Sequence, residues 1–195
     1  MKRILLIDNY DSFTFNVLHL IKKACNTTAD IVKNDKINFS ELQYYTHIII
    51  SPGPGIPSES GDIMKLLGLC KESHNILGIC LGHQAIAEFF GATLINLPSP
   101  LHGHKSKLFI SSDDPVLGKL KNCNPPKIIS GIGLYHSWIV DKSTLSDDLK
   151  AGSVNEAGIV MTLYHRFFNI YGMQFHPESV ITERGEEILS SWWKY

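Results

Sequence analysis

Short apolar runs alternate with helical patterns through roughly the first ninety residues of the chain, and this alternation restricts the fold most strongly. Strands separated by helices favour a parallel sheet with helices on both faces. The predicted strands cover residues 3–7, 29–33, 47–51 and 75–79. Ser12 is the predicted N-cap of the first helix, and further helices are predicted at residues 40–45, 61–70 and 82–90.

After Gly91 the pattern becomes rich in strands. Seven strand-like runs occur at residues 93–96, 107–111, 127–130, 138–140, 150–154, 159–163 and 169–173, and several are expected to add antiparallel strands to the sheet. A last helix is predicted after Thr182, ending in Trp192 and Trp193. The expected fold is therefore one α/β domain over residues 1–195, with a mixed, mostly parallel sheet of flavodoxin-like type.

Composition excludes several classes of function. Hydrophobic residues make up 44% of the chain and the formal net charge is −1, so a full core is expected and nucleic acid is not an expected partner. The apolar runs are too short to cross a bilayer. The four cysteines show neither Cys-x-x-Cys nor metal-ligand spacing, which predicts free thiols, no bound metal and a cytoplasmic location. No cofactor is expected.

One cysteine occupies a position suited to a nucleophile. Cys80 stands between a predicted strand and a predicted helix, with Gly78 and Gly82 two residues away on either side. Small flanking residues permit the sharp turn that lifts a nucleophile out of a sheet. The helix N-terminus favours the thiolate, and the amide of Leu81 can face a developing oxyanion. Taken alone, this pattern is equally compatible with a buried structural cysteine.

A histidine and a glutamate two residues apart follow the last predicted strand. In extended backbone such residues project to the same side, and Pro177 favours extension at His176. Glu178 could then orient one ring nitrogen while the other faces Cys80, because parallel strands end at one rim. His-Pro-Glu by itself is more typical of a surface turn; together with Cys80 it predicts a catalytic triad.

A rigid glycine loop follows the third predicted strand. Residues 51–55 read Ser-Pro-Gly-Pro-Gly; the prolines stiffen the loop and have no N–H group, so the backbone donors must come from Gly53 and Gly55. Such a donor could stabilise a tetrahedral oxyanion. The loop lacks the Lys-Ser/Thr ending of a phosphate-binding loop, and a plain rigid connection is the simplest interpretation when it is taken alone.

These motifs together resemble the class I (triad) glutamine amidotransferases, and more narrowly the small subunits of anthranilate synthase and aminodeoxychorismate synthase. The resemblance runs nearly end to end. It is carried by Asp-Asn-Tyr-Asp-Ser-Phe-Thr-Phe-Asn at residues 8–16, Ser-Pro-Gly-Pro-Gly-Ile-Pro-Ser at 51–58, Gly-Ile-Cys-Leu-Gly-His-Gln-Ala-Ile at 78–86, Tyr-His-Ser at 135–137 and Gln-Phe-His-Pro-Glu-Ser at 174–179.

The resemblance implies hydrolysis of L-glutamine through a Cys80 thioester, with His176 relaying protons and Glu178 orienting His176. It implies that the amides of Gly53 and Leu81 bind the oxyanion. Residues expected to hold the glutamine are Gly55, Gln84 and the stretch 135–138, which includes Ser137 and Trp138. The implied partner is a chorismate-utilising synthase large subunit, which uses the released ammonia to make anthranilate or aminodeoxychorismate.

Two departures from the family pattern lie outside the triad: His104 in the segment His-Gly-His-Lys-Ser at residues 102–106, and Leu134 where the family has Arg. They bear on partner docking or interdomain signalling. Two other functions stay open. One is a catalytically silent regulatory scaffold of the same fold, which a glutaminase assay with the synthase partner would separate from the enzyme. The other is a different cysteine hydrolase or a redox sensor.

Overall fold

A nine-stranded mixed sheet forms the centre of the computed structural model, which describes residues 2–120 and 127–195. Cys123 lies outside the described residues. The strand order is β2-β1-β3-β4-β11-β10-β9-β6-β7. The strands are β1 Ile4–Asp8, β2 Ala29–Lys33, β3 His47–Ile50, β4 Asn75–Ile79, β5 Leu94–Asn96, β6 His104–Ile110, β7 Ile128–Leu134, β8 Trp138–Val140, β9 Leu149–Asn155, β10 Val160–His165 and β11 Ile170–Met173; the α-helices are α1 Thr14–Cys25, α2 Ile63–Cys70, α3 Leu81–Phe89 and α4 Gly185–Trp193.

The sheet has a parallel half and an antiparallel half. Strands β2, β1, β3, β4 and β11 pair in parallel, as the alternation of strands and helices predicts. Strands β10, β9, β6 and β7 extend it with antiparallel pairings. The remaining strands, β5 and β8, form a separate two-stranded sheet. The α/β class and the mixed sheet with a parallel core are confirmed.

Helices cover both faces of the parallel half, so its inner strands β1, β3, β4 and β11 are buried on both sides. Alternate residues of each strand enter two separate apolar clusters. In β1, Leu6 faces the cluster that contains α1 and α4, whereas Leu5 and Ile7 face the cluster that contains α2 and α3. None of the helices formed by residues 2–120 and 127–195 is long and apolar enough to span a membrane.

Two local predictions need correction. Ser12 is not the N-cap of α1: that position belongs to Phe13, whose side chain makes no capping bond. The Asp11 side chain instead accepts a hydrogen bond from the Phe13 amide at 2.7 Å. The turn before the helix is therefore closed by Asp11, one residue before the predicted cap. The helix predicted at residues 40–45 is a 3₁₀ helix, Phe39–Tyr44, whose N-cap is Asn38.

The antiparallel half curls back toward the centre of the sheet. β7 lies four strands from β11, a distance of about 19 Å across a flat sheet. Nevertheless Gly133 in β7 forms an antiparallel bridge with His176, three residues after β11, and accepts its amide hydrogen bond at 3.0 Å. This curl carries residues 135–138 to the rim where β4 and β11 end.

Two glycines allow α3 to start directly against the sheet. A Cβ atom on Gly78 would overlap the backbone of Gly82, and a Cβ on Gly82 would lie 2.5 Å from the carbonyl oxygen of Ile50. The turn between β4 and α3 can therefore be this tight only without side chains at these two positions.

We expect Gly78→Ala to lower the free energy of unfolding by about 2–3 kcal/mol, because the added methyl group meets rigid backbone. Gly68→Ala is the matched control. Gly68 lies exposed in α2, where a Cβ would approach only the Phe89 ring at 3.8 Å. That change should stabilise the helix by about 0.5–1 kcal/mol. Urea unfolding of both variants measures the difference, and equal effects would refute the packing argument.

His83 in α3 is fully buried against β11. A Cβ on Gly172 would lie 2.8 Å from its Nδ1 atom, so only glycine leaves room for the ring. Burial lowers the pKa of His83 to about 3, against a smaller opposing effect of the Gly172 backbone. The folded protein therefore keeps this imidazole neutral at pH values where an unfolded chain protonates it.

This gives a signed pH dependence. The folded-state pKa lies below the unfolded value near 6.5, so the stabilisation is complete above that value and is lost as the pH falls toward about 3. We expect His83→Gln to reduce the loss of unfolding free energy between pH 6 and 4 by about 1.4 kcal/mol per pH unit. His19→Gln, at an exposed position in α1, should leave that slope unchanged. Urea titrations at several pH values provide the measurement.

Candidate active site

Cys80 forms the sharp turn between β4 and α3. Its backbone has φ 52° and ψ −99°, a conformation that costs a non-glycine residue about 1–3 kcal/mol. The Cys80 amide donates to the Met173 carbonyl at 2.7 Å, and the Cys80 carbonyl accepts from the Gln84 amide at 3.0 Å. These bonds tie the turn to β11 and to the first helical turn. The thiol is left at the rim of the sheet, 5% exposed.

The other described cysteines do not resemble nucleophiles. Cys25 ends α1 and Cys70 ends α2, and burial raises the pKa of each thiol to about 11. A thiol with so high a pKa carries little thiolate near neutral pH. Cys80 is therefore the candidate nucleophile among the described cysteines.

His176 and Glu178 form a buried pair. Nδ1 of His176 lies 2.7 Å from Oε1 of Glu178, and both side chains are almost completely shielded from solvent. His176 itself lies in the antiparallel bridge with Gly133, in line with its predicted extension, but the chain turns directly after it. The Ser179 amide donates to the His176 carbonyl at 3.2 Å, which closes a β-turn with Pro177 in its second position. Proline suits that position, and the turn still directs the carboxylate to the ring.

The charges around His176 favour the imidazolium. Burial by itself lowers the pKa of His176. The Cys80 sulfur and the Glu178 carboxylate raise it by more than burial lowers it, to about 10. Nε2 makes no hydrogen bond of normal geometry within the described residues. It is therefore free to exchange a proton at the sulfur, and such catalytic contacts commonly shorten only when substrate is bound.

Two aromatic rings hold the His176 imidazole in place. The ring centroids of Phe13 and Tyr135 lie 5.1 Å and 4.9 Å from it, both in edge-to-face geometry. The Tyr135 hydroxyl lies 3.0 Å from Oγ of Ser179, and Thr182 donates to the His176 carbonyl at 2.5 Å. Sequence reasoning did not assign this role to Phe13, because nothing local shows that the β1–α1 turn reaches the end of β11.

A small cavity opens beside the thiol, with a volume of about 170 Å³. Drug-sized ligands occupy roughly 300–1,000 Å³, so this space suits a single small molecule. It brings together most of the predicted site residues. Its walls are Gly53, Pro54, Gly55, Cys80, Gln84, Tyr135, His136, Ser137 and Trp138.

Two of the predicted site residues, Gly53 and Leu81, are of interest for their backbone amides. The Leu81 side chain is buried in the core rather than in the cavity wall, and it packs under Gly53, where a Cβ would lie 2.6 Å from it. The amides of Gly53 and Leu81 donate no hydrogen bond within residues 2–120 and 127–195. Both are thus available as oxyanion donors. Gly55 has φ 75°, a left-handed conformation that favours glycine.

The glycine loop is fixed by a buried polar clamp. The Asn9 amide donates to Oγ of Ser51 at 3.1 Å, and its side chain donates to the Ser51 carbonyl at 2.7 Å. Asn34 donates in turn to Oδ1 of Asn9 at 3.0 Å. These bonds join the ends of β1, β2 and β3, and they hold the loop that carries Gly53 through the backbone and the hydroxyl group of Ser51.

The carbonyl of Trp138 accepts a hydrogen bond from Nε2 of Gln84 at 2.8 Å. That carbonyl is therefore engaged by the protein itself, while Gln84 and Ser137 still line the cavity. Gln174, to which no role was assigned from the sequence, lies next to both Gln84 and Cys80.

Comparison with known proteins agrees with this geometry. The sequence matches the family Glutamine amidotransferase class-I over residues 5–194. It is 40% identical over 190 residues to a putative anthranilate synthase component II of Haemophilus influenzae, covering 97% of this chain and 95% of the relative. It is 36% identical to aminodeoxychorismate synthase component 2 of Klebsiella aerogenes over 192 residues, covering 96% and 97% of the two chains.

A solved structure has the same fold as this chain. A putative GMP synthase subunit of Thermoplasma acidophilum superposes with a TM-score of 0.83 at 28% identity, covering 98% of this chain and 92% of the other. The strained cysteine turn, the His–Glu pair and the glycine loop thus lie in a fold shared with glutamine amidotransferases. With its end-to-end sequence match, this chain belongs to the class I glutamine amidotransferases and is a glutaminase component of that family.

Proposed function

We propose that this chain hydrolyses L-glutamine through a Cys80 thioester and delivers the ammonia to a chorismate-utilising synthase subunit, for anthranilate or aminodeoxychorismate synthesis. We also propose that residues 1–195 act as one amidotransferase domain. The observation that carries the proposal is the buried His176–Glu178 pair at 2.7 Å beside a thiol that borders a small cavity. Names of relatives in both pathways support the choice of partner and leave the two products as alternatives.

In this mechanism the Cys80 thiol gives its proton to Nε2 of His176, and the sulfur attacks the carbon of the glutamine side-chain amide. The carbonyl oxygen becomes an oxyanion that accepts hydrogen bonds from the Gly53 and Leu81 amides. His176 gives its Nε2 proton to the leaving nitrogen, so that ammonia departs and a thioester remains. Water then attacks the thioester while His176 takes a proton from it. The C–S bond breaks, glutamate is released, and His176 returns the proton to the sulfur, which restores the thiol.

Glu178 orients His176 and stabilises its positive charge. Because the carboxylate is buried and bonded to Nδ1, it selects the tautomer that leaves Nε2 for the thiol. Gly55, Gln84 and Ser137 are proposed to hold the glutamine, and Trp138 acts through its carbonyl by fixing Gln84. The intact triad geometry favours this enzyme over a catalytically silent scaffold, and the free thiol suits a reducing cytoplasm.

Cys80→Ser should lower glutamine-dependent product formation by ~10³-fold or more, because a hydroxyl is a far weaker nucleophile at neutral pH. Synthesis from added ammonium salts by the assembled complex should continue, since the thiol acts only in ammonia release. Cys25→Ser, at a buried thiol in α1, is the control and should retain glutamine-dependent synthesis. Near-normal glutamine turnover by the Cys80 variant would contradict the assignment of the nucleophile.

We expect the free chain to hydrolyse glutamine slowly and to be activated on binding the synthase subunit. The partner would favour the productive arrangement of the Gly53–Gly55 loop beside Cys80, a shift that raises the rate by about 5- to 150-fold. The measurement is the glutaminase rate during titration with the large subunit, with and without chorismate. Full turnover by the free chain would exclude this coupling and leave the triad assignment intact.

A further inference from the structure

A second buried amide side chain contacts the thiol. Gln174 follows β11 and is completely shielded from solvent. Its backbone amide donates to the Met161 carbonyl at 2.8 Å. Its side-chain Nε2 atom lies 3.7 Å from the Cys80 sulfur, and its Oε1 atom lies 3.3 Å from Nε2 of Gln84. Gln174 thus lies between the nucleophile and the cavity wall.

The orientation of both amides is fixed by one backbone carbonyl. The Trp138 carbonyl can only accept, so the Gln84 atom that faces it at 2.8 Å must be the NH₂ group. The same NH₂ group faces Gln174, which must therefore present its oxygen to Gln84. The NH₂ group of Gln174 is then left to face the sulfur. No alternative flip satisfies all three contacts.

A donor at this place favours the charged form of the thiol. A thiolate accepts hydrogen bonds, and an N–H donor in a water-poor site stabilises it more than the neutral thiol. The other titratable groups near the sulfur are the His176–Glu178 pair and His136. Burial lowers the pKa of His136 to about 4, with a smaller contribution from His176, so this ring is neutral at pH 7. The cavity walls contain no Asp, Glu, Lys or Arg among the described residues.

We propose that Gln174 is a further catalytic residue: its side-chain NH₂ group donates to the Cys80 sulfur and stabilises the thiolate, and the Trp138–Gln84 relay holds that NH₂ group in place. The inference rests on the proposed role of Cys80 as nucleophile. The chain of three hydrogen bonds from the Trp138 carbonyl through Gln84 and Gln174 connects the cavity wall to the Cys80 sulfur. A glutamine substrate that contacts Gln84 would therefore act on the same relay that stabilises the sulfur.

The test is the rate of Cys80 alkylation by iodoacetamide in the full free chain, measured between pH 4 and 9. Gln174→Met keeps the size of the side chain and removes the donor. We expect its alkylation midpoint to rise by about 0.5–1 pH unit, with about three- to tenfold slower reaction below the midpoint. Gln174→Glu should raise the midpoint further, because a carboxylate opposes the negative sulfur. Mass spectrometry assigns the label to Cys80, and a Cys80→Ser chain gives the background from other thiols.

Thr162→Val is the matched control for general loss of packing. Thr162 is equally buried, lies on the neighbouring strand β10 and donates to Asp114 at 2.7 Å rather than to the thiol. The pH midpoint of Cys80 alkylation in Thr162→Val should match that of the unchanged chain. If Gln174→Met does not fold, Gln84→Met tests the relay with Gln174 in place. It should raise the midpoint by a smaller amount, since the NH₂ group is then free to turn away.

Unchanged midpoints in the folded Gln174 variants, or in the Gln84 variant, would overturn the inference and leave the nucleophile assignment intact. A shift of equal size in Thr162→Val would also overturn it, because the effect would then be one of packing. The proposed function fails by a different result: complete alkylation of Cys80 that leaves glutamine-dependent synthesis by the assembled complex unaffected.

Discussion

The close backbone contact between β4, α3 and β3 is the constraint on which the rest of the site depends. Because Gly78 and Gly82 have no side chains, the helix begins against Ile50 and the chain must turn within one residue. That residue is Cys80, whose strained backbone is held by bonds on both sides. The strain places the thiol at the end of the parallel half and leaves the Leu81 amide without a partner among the described residues. One packing contact therefore determines the positions of both the proposed nucleophile and one proposed oxyanion donor.

The remaining parts of the site come from elements that are far apart in the sequence and meet at that rim. The β1–α1 turn supplies Phe13 and the Asn9 clamp, the β3 loop supplies Gly53, and the chain after β11 supplies His176 with its carboxylate. Most of these groups are held by buried hydrogen bonds or by ring contacts. A preorganised arrangement of this kind lowers the reorganisation needed when charge develops on the substrate. The site is thus rigid in its protein parts, while Nε2 of His176 remains unbonded within the described part of the chain.

Much of this could be predicted from the sequence, for identifiable physical reasons. Strands β1 to β4 were located to within about a residue because apolar runs bounded by turn residues are strong local signals. Cys80 and His176 could be proposed as site residues from the sequence because their flanking glycines and proline have local backbone meaning. The positions of Phe13 and Gln174 depend on tertiary packing, and neither shows a local signal. The Ser12 cap was wrong because Asp11, one residue earlier, closes the turn first. His176 keeps an extended backbone in its bridge with Gly133, whereas Pro177 and Glu178 form a turn that the Ser179 amide closes.

The curl of the antiparallel half also bears on how the active site comes into being during folding. The parallel half is assembled largely from neighbouring strand–helix units, whereas the cavity wall at residues 135–138 reaches Cys80 only after β6 to β11 have paired and folded back. The contact of Gln174 with the thiol spans 94 residues. Contacts of such high sequence separation require the closure of a long loop, and folds that depend on them fold more slowly. The strained Cys80 turn is itself bonded to Met173 of β11, so the cysteine turn and the cavity wall both depend on strands that come last in the chain.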